Sequence, residues 1–191
     1  MRNKDLTKLT LAGMLAAMAF ICFAYLRIEI PMGGGLTGKI YIGHAFIMLA
    51  ALLLGSKYGG LAGAIGLTLA DILAGYTTSA PPTFLSKYIF GWSIGFIAHN
   101  IFHLSKEMSA GKINKIILAA TIGGELINIV TEPLIRYTFK IYVLGMPQQL
   151  AYLSALNCAV AEVVSSIPTV AIAVTLYKVL EHSLLKNCRW E

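Results

Sequence analysis

The sequence predicts an all-α membrane protein: a compact bundle of six transmembrane helices with both termini in the cytoplasm. Of the 191 residues, 57% are hydrophobic and 13% are charged, and this charged fraction is about half that of soluble domains. Hydropathy divides the chain into six apolar runs, and basic residues are concentrated on one side of the membrane. The length leaves no room for a sizeable soluble domain, so residues 1–191 are predicted to form a single membrane domain.

The six predicted spans alternate with short connections. They are residues 6–26, 43–54, 58–74, 84–104, 113–131 and 150–180. Because about 20 residues cross the hydrocarbon, the second span is too short by itself. It crosses only if residues 39–42 extend it, or it lies tilted behind its neighbours.

The basic residues orient these spans. With the N-terminus inside, ten of the 15 Lys and Arg residues lie on the inner side, as the positive-inside rule requires. The outer side keeps Arg27, Lys39, Lys87, Arg136 and Lys140. The net charge of +6 is therefore a topology signal. It does not indicate nucleic-acid binding, because the basic residues share no soluble face.

The first span begins like a signal peptide, but no clean cleavage site follows it. We therefore predict a retained helix. Ala12 and Ala16, four residues apart, form a ridge of small residues. Such a ridge serves either packing within the chain or docking of another membrane subunit.

Residues 27–41 form an external loop that contains Pro31 and the run Gly33-Gly34-Gly35. It lacks the GxxxxGK[ST] pattern of a phosphate loop. We interpret it as a flexible loop that could cover a site, with a plain connector as the alternative. The three cysteines show no metal-binding spacing and are expected to be packing residues; they are Cys22, Cys158 and Cys188.

The segment 55–91 joins two apolar runs through a polar turn. Its first run carries a stripe of small residues that allows close helix packing, formed by Gly59, Gly63, Gly66 and Ala70. Asp71 and Lys87 are charges near the hydrocarbon. Such charges mark a functional site or a paired structural contact.

The fourth span places aromatic and histidine side chains on one stripe. Tyr88 and Trp92 could stack on a flat ligand or anchor the helix at the interface. His99 and His103 have the spacing of a metal pair, but the HExxH motif is absent. No metal site is predicted.

The fifth span carries a polar stripe. Its members lie within about 60° of one another on a helix: Thr121, Glu125, Asn128 and Glu132. This stripe indicates a pocket open to the exterior, or a structural polar cluster between helices. On the sixth span, Asn157 and Glu162 are about 140° apart. We predict Asn157 as the ligand contact and Glu162 as facing a neighbouring helix.

The block LTGKIYIGHAFIMLAALLLGSKYGGLAGAIGLTLADILAGYTTSAPPTFLSKYIFG resembles the substrate-binding (S) components of energy-coupling factor (ECF) vitamin transporters. It is most similar to members for pyridoxine or hydroxymethylpyrimidine, with riboflavin carriers as the nearest alternative. The resemblance implies a multi-pass protein of the bacterial cytoplasmic membrane. Such a protein binds a vitamin at its outer face and topples to deliver it.

The resemblance further implies a transmembrane coupling (T) subunit and two ATPase subunits as partners, since the chain has no Walker A motif. Ala12 and Ala16 match the family's docking ridge. We expect no enzyme activity, cofactor or metal. The ligand site is predicted to combine aromatic faces, hydrogen-bonding groups and groups at the outer span ends, drawn from Tyr41, His44, Lys87, Tyr88, Trp92, Glu125, Asn128 and Asn157.

Two other classes of function compete for the same residues. An intramembrane enzyme would need a catalytic constellation such as GxSxG or HExxH, and neither is present. A proton-coupled secondary transporter could use Asp71, Glu125 and Glu162. The inverted repeat usual in such transporters is not evident.

Overall fold

The structure is a computed structural model that describes residues 2–31, 37–105 and 108–180. It contains six α-helices in the predicted order, which confirms the all-helical class. Their bounds are α1 (Arg2–Tyr25), α2 (His44–Leu54), α3 (Ser56–Leu73), α4 (Ala80–Gly95), α5 (Ala110–Tyr142) and α6 (Gln148–Leu180). Within the described residues, the apolar part of α1 (Asp5–Tyr25), α5 and α6 are each long and apolar enough to cross a membrane.

A small β-hairpin joins α1 to α2, where the sequence predicted only a loop. Strands β1 (Ile28–Pro31) and β2 (Thr37–Ile40) pair antiparallel, with Ile28 opposite Ile40. Strand β2 also packs against α6. The glycine run 33–35 lies outside the described residues, as does Cys188.

Helix α2 does not reach the length of a span. Residues 37–40 belong to β2, so they do not extend the helix, and its 11 residues rise only about 16 Å. Most of the helix is buried, including Ile47, Met48 and Leu49. It packs against α1, α3, α4 and α6. Of the two alternatives given for the second span, the structure therefore shows the short helix, which is surrounded by neighbouring helices.

Helices α3 and α4 meet backbone to backbone. A Cβ added at Gly91 would lie 2.3 Å from the Gly59 carbonyl oxygen, and one at Gly95 would lie 2.5 Å from the Ser56 Cα. Farther along α3, Gly66 packs against the backbone of Ala16 in α1. The predicted small-residue stripe thus lets α3 approach α1, α2 and α4 closely.

Helix α5 continues to Tyr142, beyond the predicted end at residue 131. The prediction ended there because Glu132, Pro133 and Arg136 interrupt the apolar run. Pro133 lies inside the helix without ending it. Glu132 and Arg136 are joined by an ion pair, so this polar turn forms part of the bundle rather than a connection outside it.

Candidate functional site

Six buried side chains from α2, α4, α5 and α6 form what we call the polar cluster. Each is at most 6% exposed. The members are His44, Lys87, Glu125, Asn128, Glu132 and Glu162. Charged groups so far from solvent need partners, because an unpaired buried charge is strongly destabilising.

Lys87 is the cation at the centre of the cluster. Its ammonium donates to the carboxylate of Glu132 and lies 3.4 Å from Glu162 Oε1. Helix α4 has Pro81 and Pro82 in its first turn, positions where a missing backbone N–H costs nothing. This start places Thr83 and Lys87 four residues apart on one face, turned toward α5 and α6.

Arg136 extends the network along α5. Its Nε and Nη2 atoms donate to Glu132 Oε1 at 2.9 and 2.8 Å. Nη2 also donates to Thr83 Oγ1 at 3.0 Å, and that hydroxyl donates to Asp71 Oδ2 at 2.6 Å. Glu132 therefore binds both cations, and Asp71 is linked to the cluster through Thr83.

Glu162 connects the cluster to α5 and α2. Asn128 Nδ2 donates to Glu162 Oε2 at 2.7 Å, and His44 Nδ1 lies 3.6 Å from the same oxygen. The other ring nitrogen of His44, Nε2, is 2.9 Å from the Tyr41 hydroxyl. Because Tyr41 follows β2 and His44 begins α2, these contacts place the cluster beside the hairpin.

Several polar atoms of the cluster have no hydrogen-bond partner among the residues that the structure describes. They are both carboxylate oxygens of Glu125, Asn128 Oδ1 and His44 Nδ1. The orientation of the Asn128 amide follows from its partner, since an ionised carboxylate only accepts hydrogen bonds. Buried polar atoms without partners are rare in folded proteins and call for a physical reason.

Aromatic rings form one wall of the cluster. Phe23 meets Tyr41 edge to face at 4.9 Å between ring centroids, and Tyr41 meets His44 in the same way at 4.8 Å. His44 lies 5.1 Å from Phe90, and the Lys87 ammonium lies 5.7 Å from the Phe90 centroid. The cluster thus combines an apolar aromatic surface with a few placed polar groups, the composition usual for a small-molecule site.

Five of the eight predicted ligand residues come together in or beside the polar cluster: Tyr41, His44, Lys87, Glu125 and Asn128. Trp92 does not, because it is five residues from Lys87 and so about 140° around α4. Its ring is 40% exposed and stacks on Phe96 at 4.9 Å. The Tyr88 ring packs against Gly60 of α3.

On α6 the structure places Glu162 against neighbouring helices, in line with the prediction, and the ligand contact of Asn157 stays a prediction. Glu162 lies in the cluster and contacts side chains of α4 and α5, whereas Asn157 is half-buried about 140° away on the helix. A sequence signal for Glu162 existed. Ser165 and Thr169 follow it at helical spacing, and all three are buried, so they form a polar stripe on one face of α6.

His99 and His103, which are four residues apart, do not share one helix face in the structure. The π-helical turn Phe96–Ile101 ends before His103, whose φ is 49°. His99 Nε2 is 3.0 Å from the Leu52 carbonyl oxygen, a structural contact.

Two groups of side chains within the described residues could approach a metal ion. His44, Glu125 and Glu162 form one, and Glu132, Cys158 and Glu162 form the other, with ligand atoms within 4.8 Å of one another. Glu162 is shared by both groups and is already 3.4 Å from the Lys87 ammonium.

Ala12 and Ala16 lie at the base of an apolar groove between α1 and α3, with a volume of about 500 Å³. Both are buried and pack within the chain, with Ala50 and Ala62. The groove's walls are exposed apolar side chains, among them Leu61, Ile65 and Leu69. Ala12 and Ala16 thus pack within the chain and also border an open groove, and the docking of another subunit there stays a prediction.

Comparison with known proteins identifies the family. The sequence matches the family described as "ECF-type riboflavin transporter, S component" over residues 3–182. Among curated proteins, none matches the sequence significantly.

Two solved structures are similar in fold. One, the S component of a bacterial ECF transporter, has a TM-score of 0.64 at 19% identity and covers 96% of this chain and 99% of its own. The other, the S component for biotin from an ECF-type ABC transporter, has a TM-score of 0.60 at 20% identity and covers 93% and 94%. The family match extends over nearly the whole sequence and confirms the resemblance to S components. This chain therefore belongs to the S components of ECF-type transporters, in the family named for the riboflavin transporter.

Proposed function

We propose that this chain captures a small aromatic vitamin or vitamin precursor, pyridoxine or hydroxymethylpyrimidine, at the outer face of the membrane. The supporting observation is the set of unpartnered buried atoms on Glu125, Asn128 and His44, beside the rings of Tyr41 and Phe90. A heterocycle bearing hydroxymethyl groups matches such a site, because its ring packs on aromatic surface and its substituents hydrogen-bond.

The hairpin is proposed to cover this site. Strand β2 packs against α6 and leads directly to Tyr41 and His44. Displacement of the hairpin would therefore expose the polar cluster, and its return would exclude water from the bound ligand. Lys87 is proposed to hold Glu132 and Glu162 in place, since it contacts both carboxylates.

The ligand is identified by purifying the full chain in detergent and analysing co-purified small molecules by mass spectrometry. Titration with pyridoxine, hydroxymethylpyrimidine and riboflavin then ranks the candidates. Riboflavin is the second candidate, because the matching family is named for it. A riboflavin affinity above that of both smaller compounds would replace our assignment.

Replacement of Glu125 or Asn128 by alanine is expected to reduce vitamin affinity by at least about tenfold, or 1.4 kcal/mol, while the protein stays folded. Leu126→Ala is the matched control, because Leu126 is next to Glu125 on α5 and is 61% exposed. Isothermal titration measures affinity, and size-exclusion chromatography tests folding. Unchanged affinity in both cluster variants would remove these residues from the site.

We further propose that delivery depends on a coupling (T) subunit and two ATPase subunits, and that the T subunit docks at the α1–α3 groove over Ala12 and Ala16.

Leu61→Ser and Ile65→Ser alter exposed groove walls. They should reduce uptake by cells that express all subunits without changing vitamin binding. Leu126→Ser, on a different exposed face, is the control. Uptake that persists without the ATPase subunits and collapses with the proton gradient would instead favour a secondary transporter.

A further inference from the structure

We propose that the preferred ligand is a cationic or amino-bearing heterocycle, which donates hydrogen bonds to Glu125 and Asn128. This inference rests on the proposed function and names the chemical class that the site selects. It is based on two properties of the polar cluster: the balance of its charges and the kind of atom left without a partner.

Once Arg136 is counted with the polar cluster, its charges balance only when Glu125 is left out. Lys87 contacts Glu132 and Glu162, and Arg136 contacts Glu132. Within the described part of the chain, two cations thus serve these two carboxylates. Glu125 is 3% exposed, and neither of its oxygens has a hydrogen-bond partner among the described side chains and backbone.

The unpartnered atoms are mainly acceptors. Asn128 Oδ1 can only accept hydrogen bonds, and so can both Glu125 oxygens when the carboxyl group is ionised. One N–H of the Asn128 amide donates to Glu162 Oε2, at 2.7 Å. Because Glu125 and Asn128 are three residues apart on one face of α5, their free oxygens are neighbours.

His44 fits the same arrangement. When the Tyr41 hydroxyl donates to Nε2, at 2.9 Å, the ring proton lies on Nδ1, which is 3.6 Å from Glu162 Oε2. The Nδ1–H group of the imidazole then points at Glu162, so it does not occupy Glu125, which stays available to the ligand. The Glu125 carboxylate lies within 4.8 Å of the ligand atoms of both His44 and Glu162, so it belongs to the same space.

A ligand that completes this set must supply several donors and, preferably, a positive charge. An amine or a protonated amino-heterocycle does both, and charge-assisted hydrogen bonds to a carboxylate are about twice as strong as neutral ones. A hydroxyl in the same place supplies one neutral donor. The site therefore selects the amine over the alcohol.

The test uses the full chain in detergent and two matched pairs of ligands. Pyridoxamine and pyridoxine differ in carrying an amine or a hydroxyl on one methylene group. The second pair is hydroxymethylpyrimidine with its ring amino group and the analogue that lacks it. We expect the amino member of at least one pair to bind at least about tenfold more tightly, or 1.4 kcal/mol. Glu125→Gln should abolish this preference, and Glu125→Asp, which keeps the charge, should retain it.

The outcomes separate this inference from the proposed function. If both members of each pair bind equally, or if the preference survives in Glu125→Gln, the cationic class is wrong while vitamin binding stands. Tight binding of riboflavin without binding of the amines also overturns the cationic class. If no vitamin binds or co-purifies, the proposed function fails and the inference with it. Binding of Zn²⁺ alone that is lost in Glu125→Gln would show a metal site and overturn the inference.

Discussion

The two sides of helix α4 are opposite in chemistry. Toward α3 the helix presents Gly91 and Gly95, whose backbones lie so close to α3 that no side chain fits. Toward α5 and α6 it presents Lys87, which enters a network of buried charges. Thr83 lies at the edge between the two sides, bonded to Arg136 of α5 and Asp71 of α3. One side is held by dry backbone packing, and the other is held by ion pairs.

The difference shows how a polar site can be kept inside a membrane bundle. Around Gly91 and Gly95, small residues let α3 and α4 pack backbone to backbone, and this pairing positions Lys87. The cluster can then leave the oxygens of Glu125 without partners, because its geometry does not depend on them. Helix packing holds the framework in place, and the polar atoms without partners are available to the ligand that we propose.

The largest loss of stability is expected from a substitution on the side of α4 that faces α5 and α6. Lys87→Met should destabilise the protein by about 3–5 kcal/mol, because removing one partner of a buried ion pair leaves the other charge uncompensated. Arg136 still contacts Glu132 in this variant, so the stranded carboxylate is Glu162. Thermal unfolding of the detergent-purified protein, followed as loss of monodisperse material, measures the change.

A second substitution checks this reason. Glu162→Gln added to Lys87→Met removes the stranded charge and should restore part of the lost stability. If the double variant is as unstable as the sum of the two single variants, the charges are not coupled. The two sides of α4 would then differ in how closely the helices pack and not in charge coupling.

A smaller effect is expected on the dry side. Gly91→Ala places a Cβ 2.3 Å from the Gly59 carbonyl oxygen, so the helices must separate, at a cost of about 1–3 kcal/mol. Gly111→Ala is the matched control, because nothing lies within 4 Å of a Cβ there. In a helix, alanine is favoured over glycine, so the control should not destabilise the protein. Equal effects at both positions would mean that α3 and α4 are not in backbone contact.

The sequence predicted the dry side better than the charged side. A stripe such as Gly59, Gly63 and Gly66 is visible in the sequence, because small residues at helical spacing have few uses in lipid other than close packing. The stripe Glu125, Asn128 and Glu132 was visible for the same reason: polar groups are expensive in an apolar span. The six helices and these two stripes could be predicted from the local spacing of apolar, small and polar residues.

Partners across helices were harder to predict. The pairing of Lys87 with Glu132 and Glu162 joins residues 45 and 75 positions apart, and no local spacing encodes such a contact. The ligand contact predicted for Asn157 rested on helical facing and expected depth and stays a prediction, whereas neither signal showed which side chains Glu162 would meet. The β-hairpin was missed because its two strands are separated in the sequence by residues 32–36. These residues include a glycine run, which is typical of flexible loops.

The smallest effect is expected at the edge of the charged side, where Tyr41 meets His44. Tyr41→Phe keeps the edge-to-face ring contacts with Phe23 and His44 but removes the 2.9 Å hydrogen bond to Nε2. The loss should be about 0.5–1.5 kcal/mol, measured by the same thermal assay. Tyr152→Phe is the control, since Tyr152 is 59% exposed. If the two variants are equally stable, the hydroxyl does not hold the imidazole, and the tautomer of His44 that directs Nδ1 at Glu162 loses its physical basis.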